Sequence, residues 1–325
     1  MSGLSVTPAL APRPERGAPG RRPQVIYIMG AGRSGSSVLG ITLGNCTNVF
    51  FAGELDNWLL RSGRPQLEDS ERSRFWDGVR AELEDEPGAS ELFGSETQRS
   101  IERSISLFRV HRWPARHRLR RRYRAIAEDL YRALTRVTGV VHIVDSSHYP
   151  LRARELQRLS GIDLHLVFLV RDPQDVAASF NRRDVNEYNK STFHTNVYLW
   201  LTHLLSMLVF LRHPRERRLL VRYEDFLGDP QDIVRQILDH SGCADAPPAD
   251  LTALAIGFPL QGNRVTRSST LSLKVHSDPL PSSRLTAVLQ APLMMALSRL
   301  RPAATAKDGE TRRGASTAER TCASS

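Results

Sequence analysis

Lysine is nearly missing from this chain: of 45 Lys+Arg in 325 residues, only Lys190, Lys274 and Lys307 are lysines. Cysteine is scarce as well. Cys46, Cys243 and Cys322 are widely spaced, form no Cys-x-x-Cys pair and leave an odd number, which argues against a disulfide framework or a zinc site and for a reducing, cytoplasmic compartment. Long apolar runs are lacking too. The most apolar stretch, Val197 to Leu211, is interrupted by Thr202, His203 and Ser206 and falls short of the roughly 20 residues that span a bilayer, so it reads as a core helix. The N-terminus carries Pro12-Arg13-Pro14 and Arg21-Arg22 without an apolar core before a small-residue cleavage site, so no secretory signal is expected and residues 1–23 read as a loose tail.

What remains is ordinary for a folded enzyme-sized chain. Hydrophobic residues make up 40% and charged residues 25%, close to the globular average, so neither wholesale disorder nor a multi-span membrane protein fits. Against 35 Asp+Glu the basic residues leave a net charge of +10, which suggests an anionic partner. The arginine bias is first of all compositional, although arginine also suits bidentate binding of phosphate or sulfate.

Val25 to Met29 is a short apolar run without alternation, as expected of a strand covered on both faces of a parallel sheet. The glycine- and serine-rich turn Gly30 to Ser37 follows, then a helical segment from Val38 to Leu43. Further apolar runs at Val49 to Ala52, Val140 to Val144, Leu164 to Val170 and Leu219 to Val221 give the strand-then-helix alternation of an α/β domain, placed at 24–301. Residues 56–138 show no strand pattern and read as a helical insertion. Residues 302–325 have almost no large apolar side chain and are expected to be a disordered tail.

A glycine-rich turn between a buried strand and a helix presents free backbone N–H groups and the positive helix end, an arrangement that holds an anion. The spacing of Gly30 to Ser37 is that of a Walker A loop, but Ser36 and Ser37 stand where Lys and Ser/Thr belong. Nucleoside triphosphate hydrolysis needs that lysine and Mg²⁺ to offset the charge on the β- and γ-phosphates. A sulfuryl group carries one negative charge fewer, so hydroxyls, N–H groups and one cation such as Arg33 can stabilise its transfer without a metal.

Here the chain resembles the sulfotransferases that use 3′-phosphoadenosine 5′-phosphosulfate (PAPS), tyrosylprotein and bacterial members among them. Arg33-Ser34-Gly35-Ser36-Ser37 is similar to that family's Lys/Arg-Ser-Gly-Thr-Thr loop, and the resemblance gives these five residues the 5′-phosphosulfate, with Arg33 on the bridging and leaving oxygens. Val167 to Phe180 resembles the strand, Arg-Asp-Pro turn and helix that grip the 3′-phosphate, which implies Arg171 and Ser179. Physically, a strand-end arginine offers a fork of donors and a hydroxyl two turns into the next helix can swing to the same phosphate; read alone, the turn is structural, with Asp172 as a cap. Arg222-Tyr223-Glu224-Asp225-Phe226 is similar to a Tyr-Glu-Asp segment, implying Tyr223 near the adenine, although a strand-end tyrosine also serves simply for packing. Gly262 to Arg267 resembles a late Gly-Asn-x-x-Arg segment, implying Arg264 and Arg267 at the 3′-phosphate, without the tryptophan that relatives carry downstream. The resemblance implies a three-layer α/β/α, P-loop NTPase-like sulfotransferase fold with the helical insertion as acceptor-binding region, PAPS as co-substrate and no metal.

Transfer to a hydroxyl needs a base for the acceptor proton and positive charge for the leaving oxygen. Glu54, 21 residues after Arg33 and just past an apolar run, is placed as the base glutamate of tyrosylprotein-type members; the alternative is a residue in the first turn of a helix starting near Asp56. His148 stands where relatives commonly have the lysine of Asp-Ser-Ser-Lys. It replaces that lysine at the leaving group, or is itself the base, or is a loop histidine without a role. Asp145 and its neighbouring serines orient this loop.

Residues 109–124 hold eight arginines. Such runs form solvated faces, or bind nucleic acid, anionic lipid or acidic substrates. Three functions therefore stand in order: a PAPS-dependent sulfotransferase acting on an acceptor hydroxyl, a P-loop kinase or NTPase, and a nucleic-acid-binding protein working through the arginine cluster.

Overall fold

Val25, Tyr27 and Met29 of the first strand, β1 (Gln24–Gly30), enter one apolar cluster, while Ile26 and Ile28 enter another. The uninterrupted apolar run is thus a strand covered on both sides. The computed structural model describes residues 21–67, 69–84, 95–180, 191–262, 264–273 and 284–300. The expected N-terminal tail, apart from 21–23, and the expected C-terminal tail lie outside the described residues.

From β1 the chain passes through α1 (Ser36–Gly44) to β2 (Val49–Gly53). The described part of the expected insertion carries no strand. It consists of α2 (Asn57–Leu60), α3 (Ser70–Glu84), α4 (Ser95–Ile101), 3₁₀ turns at Ser104–Leu107 and Val110–Arg112, and the long α5 (Trp113–Thr138). Then come β3 (His142–His148), α6 (Pro150–Leu156), β4 (Asp163–Val170), α7 (Pro173–Phe180) and α8 (Thr192–Leu211). After β5 (Arg218–Arg222) follow α9 (Tyr223–Gly228) and α10 (Pro230–His240), a short antiparallel pair of β6 (Leu254–Ala255) and β7 (Thr270–Leu271), and α11 (Arg284–Ser298).

The five long strands are all parallel, in the order β2-β3-β1-β4-β5. Helices α1, α9 and α10 cover the face of Ile26 and Ile28; α3, α5, α6, α8 and α11 cover the face of Val25, Tyr27 and Met29. This is the three-layer α/β/α arrangement. β1 is followed by α1 on one face, whereas its neighbour β4 is followed by α7 and α8 on the other, so the chain parts at the carboxyl ends of these two strands and leaves the crevice where open α/β sheets bind ligands.

Three details depart from the sequence reading. β3 starts later than Val140 and runs on through Asp145, Ser146 and Ser147, polar residues that are fully buried. α8 is 20 residues long and apolar enough, by length and composition, to cross a membrane; only one of its faces, with Leu199, His203, Ser206 and Phe210, is buried, while Phe193, Val197, Trp200, Leu204, Leu208 and Leu211 are exposed at helical spacing. The arginine cluster is not simply a solvated face. Arg116, Arg120 and Arg124, one turn apart on α5, converge on Glu155 of α6, which is 1% exposed, with contacts of 3.8, 3.1 and 2.6 Å. They fasten the insertion to the sheet-covering layer.

Candidate active site

The loop between β1 and α1 turns on two left-handed residues, Arg33 at φ 70° and Gly35 at φ 96°. An arginine in that region is strained, and such strain persists where the surroundings impose it. Ser34, Ser36 and Ser37 are buried, and the Ser34 hydroxyl has no hydrogen-bond partner. α1 has no acidic residue in its first turn and no side-chain cap, so its positive end is open to an anion.

The loop is held from three sides by residues remote in sequence. Arg171, immediately after β4, donates from Nη1 to the Arg33 carbonyl at 3.3 Å, meets Asp175 at 3.5 Å, and lies with its guanidinium carbon 4.9 Å from the centre of the Tyr223 ring. Its Nε is buried without a partner. Tyr223, the first residue of α9, packs on Gly35 so closely that a Cβ there would sit 2.1 Å from Cε2. On the third side, Tyr198 of α8 accepts the Gly32 N–H at 2.8 Å. Asp172 does act as the expected cap, accepting the Gln174 N–H at 2.8 Å, and its own N–H goes to Glu224 at 2.7 Å. Two separate sequence segments, 171–180 and 222–226, are thereby locked together beside the loop.

Ser179 lies half-buried in α7, with no hydrogen bond to Arg171. Arg264 and Arg267 are exposed, in a 3₁₀ turn that packs against α1. Asn263, between them and Gly262, lies outside the described residues.

Glu54 follows β2 directly, donates its N–H to the Gln261 carbonyl at 2.8 Å, and precedes α2 by three residues. It therefore sits at a strand end, not in the first turn of that helix. Burial, then the nearby Asp145 charge, push its carboxyl up to about 7, with the Arg33 guanidinium pulling the other way. Beneath it lies a buried polar network. Asp145 accepts from the Ser147 N–H at 2.9 Å, Tyr131 at 2.6 Å and Arg152 at 3.1 Å; Arg152 also reaches Glu102 at 2.8 Å, and the Ser147 hydroxyl accepts the Asp56 N–H at 2.9 Å. Asp145 and Ser147 thus fix the ends of both β2 and β3.

His148 ends β3 in a left-handed conformation, φ 54°, with its ring 4.3 Å from that of Tyr149. Its Nε2 is 3.9 Å from where a Cβ on Gly32 would be. Burial, reinforced by the Arg103 charge, lowers its pKa to about 4. The imidazole is neutral near pH 7, so in this state it brings no positive charge to the loop.

Sequence reasoning did not find Tyr198, Arg103 or Arg152. Tyr198 lies within an apolar helix and Arg103 between two short helical segments, where nothing local marks them. Among the described residues, no three His, Cys, Asp or Glu side chains gather as for a metal ion.

Residues 23–247 match the sequence model of the Sulfotransferase family. No curated relative matches the chain. Among solved structures, the chain is similar to the sulfotransferase domain from the curacin biosynthetic pathway (17% identity, 85% of this chain and 99% of that one, TM-score 0.45). It is also similar to a sulfotransferase from Alicyclobacillus acidocaldarius (16%, 88% and 98%, 0.44) and to sulfotransferase STF9 from Mycobacterium avium (14%, 86% and 77%, 0.46).

Proposed function

Since the chain belongs to the sulfotransferase family, we propose that it transfers a sulfuryl group from PAPS to an acceptor hydroxyl and releases adenosine 3′,5′-bisphosphate. The observation that carries this reading is the convergence of Arg171, Tyr223 and the loop at Gly35, beside the partnerless buried Ser34 hydroxyl and Arg171 Nε. Buried polar groups in native proteins rarely stay unsatisfied, and an anionic ligand at the helix end answers both.

PAPS supplies the sulfuryl group: the acceptor oxygen forms the new S–O bond as the S–O bond to the 5′-phosphate breaks. Ser34, Gly35, Ser36 and Ser37 hold the phosphosulfate through hydroxyls and N–H groups, and Arg33 offsets charge on the leaving oxygen. Arg171 and Ser179, with Arg264 and Arg267 from outside, take the 3′-phosphate, and Tyr223 presents its ring to the adenine. Glu54 takes the acceptor proton. His148 donates a hydrogen bond beside Gly32. A cytoplasmic location belongs to the same reading, in keeping with Cys46 and Cys243 being buried free thiols.

Calorimetric titration tests this. Adenosine 3′,5′-bisphosphate should bind without Mg²⁺ and ATP poorly; tight binding of Mg-ATP alone would return the protein to the kinase or NTPase reading.

A further inference from the structure

Arg103 precedes the 3₁₀ turn Ser104–Leu107, within the helical segment between β2 and β3. Its guanidinium carbon stands 5.3 Å from the centre of the Tyr149 ring. That ring lies 4.3 Å from the imidazole of His148, which in turn borders Gly32 of the loop. Arg103, Tyr149 and His148 form a stack leading from the helical segment to the reacting end of the site.

Most other interior arginines have carboxylates; Arg112 resembles Arg103 in having a buried Nε with no hydrogen-bond partner. Arg152 has Asp145 and Glu102; Arg116, Arg120 and Arg124 share Glu155; Arg171 has Asp175. Among the described residues no carboxylate is paired with Arg103, and its Nε is buried with no hydrogen-bond partner. A half-buried guanidinium without a counter-charge is unfavourable, and a ligand that brings one relieves the cost.

Position decides which ligand. Gly35, Arg171 and Tyr223 gather over β1, β4 and β5, on one side of the switch point. Glu54 and His148 end β2 and β3 on the other side, and Arg103 stacks there. The base and Arg103 thus share the side away from the nucleotide.

We propose that Arg103 binds an anionic group of the acceptor, so that the substrate is a hydroxyl compound already carrying a carboxylate, phosphate or sulfate near the hydroxyl to be sulfated. This rests on the sulfotransferase reading above. The planar fork of a guanidinium suits such groups bidentately, and its charge offsets the repulsion between an anionic acceptor and the incoming sulfuryl group.

The test uses the full-length protein, radiolabelled PAPS and a cell metabolite extract split by anion exchange into retained and unretained fractions. Label should enter compounds of the retained, anionic fraction. Arg103→Gln should cut that labelling by about tenfold or more, the scale of a lost charge-assisted hydrogen bond, while the Kd for adenosine 3′,5′-bisphosphate stays within about twofold. Arg103→Lys, which keeps the charge, should retain part of the labelling. If adenosine 3′,5′-bisphosphate binds but label enters only neutral compounds or none, or Arg103→Gln labels as well as wild type, the acceptor proposal is overturned on its own. If that nucleotide does not bind at all, the sulfotransferase reading falls and the proposal with it.

Discussion

The phenol of Tyr198 closes a backbone donor of the loop between β1 and α1: its Oη accepts the Gly32 N–H at 2.8 Å across 166 residues of sequence. The loop shape therefore depends on α8 as well as on its own glycines. Tyr198→Phe leaves that N–H unpaired and should lower stability by about 1–3 kcal/mol, read as a fall in thermal midpoint. An unchanged midpoint would mean that the loop holds its shape unaided.

Gly35 is required twice, by its φ of 96° and by the Tyr223 ring at 2.1 Å from any added Cβ. Gly35→Ala should cost about 1–3 kcal/mol of strain and displace either the loop or the ring. Calorimetry should then show weaker binding of adenosine 3′,5′-bisphosphate than a stability loss alone explains. Wild-type affinity in a folded Gly35→Ala protein would remove the loop from the nucleotide site.

Arg171→Ala deletes the donor fork between the Arg33 carbonyl and the Tyr223 ring. Loss of charged hydrogen bonds to a phosphate, about 1.5–3 kcal/mol, predicts a Kd weaker by roughly 10- to 100-fold. Adenosine 5′-phosphate, which lacks the 3′-phosphate, should respond far less. Equal loss for the two nucleotides would reject the 3′-phosphate assignment.

With the Glu54 carboxyl raised to about 7, the basic form grows as pH rises, so kcat/KM should climb through pH 6 and level off above 7. Glu54→Gln should flatten this profile and remove most turnover, about 10²- to 10⁴-fold, with nucleotide binding kept. Stability runs the opposite way. A carboxyl whose pKa is higher in the folded chain than its ordinary 4.5 binds its proton more tightly there, so its contribution to stability declines as pH rises from about 4.5 towards 7. Retained turnover in Glu54→Gln would transfer the base role to His148.

Arg152 is 3% exposed and bridges Asp145 and Glu102. Arg152→Met strands two buried carboxylates and should destabilise the protein by about 3–5 kcal/mol, as removing one member of a buried ion pair does. The loss should shrink at acid pH, where the carboxyls take up protons. A pH-independent loss would point to packing instead.

The sequence by itself determined the strands of the parallel sheet and a glycine turn with Walker A spacing but no lysine, because a doubly covered strand and a glycine turn before a helix are written in contiguous residues. It also marked Arg171 as a strand-end residue, Asp172 as a cap and Glu54 as a residue beyond β2. Only the tertiary structure decided which distant groups meet. It set Tyr223 on Gly35, Tyr198 on Gly32, three arginines of a seemingly solvated run on one buried glutamate, and Arg103 above Tyr149 with no carboxylate partner among the described residues. It also turned His148 from a prospective cation into a neutral ring, since burial and a neighbouring guanidinium act through space. Periodicity and turn chemistry are local and leave a trace in residue order; desolvation and Coulomb interactions depend on distance in the fold, which residue order does not record.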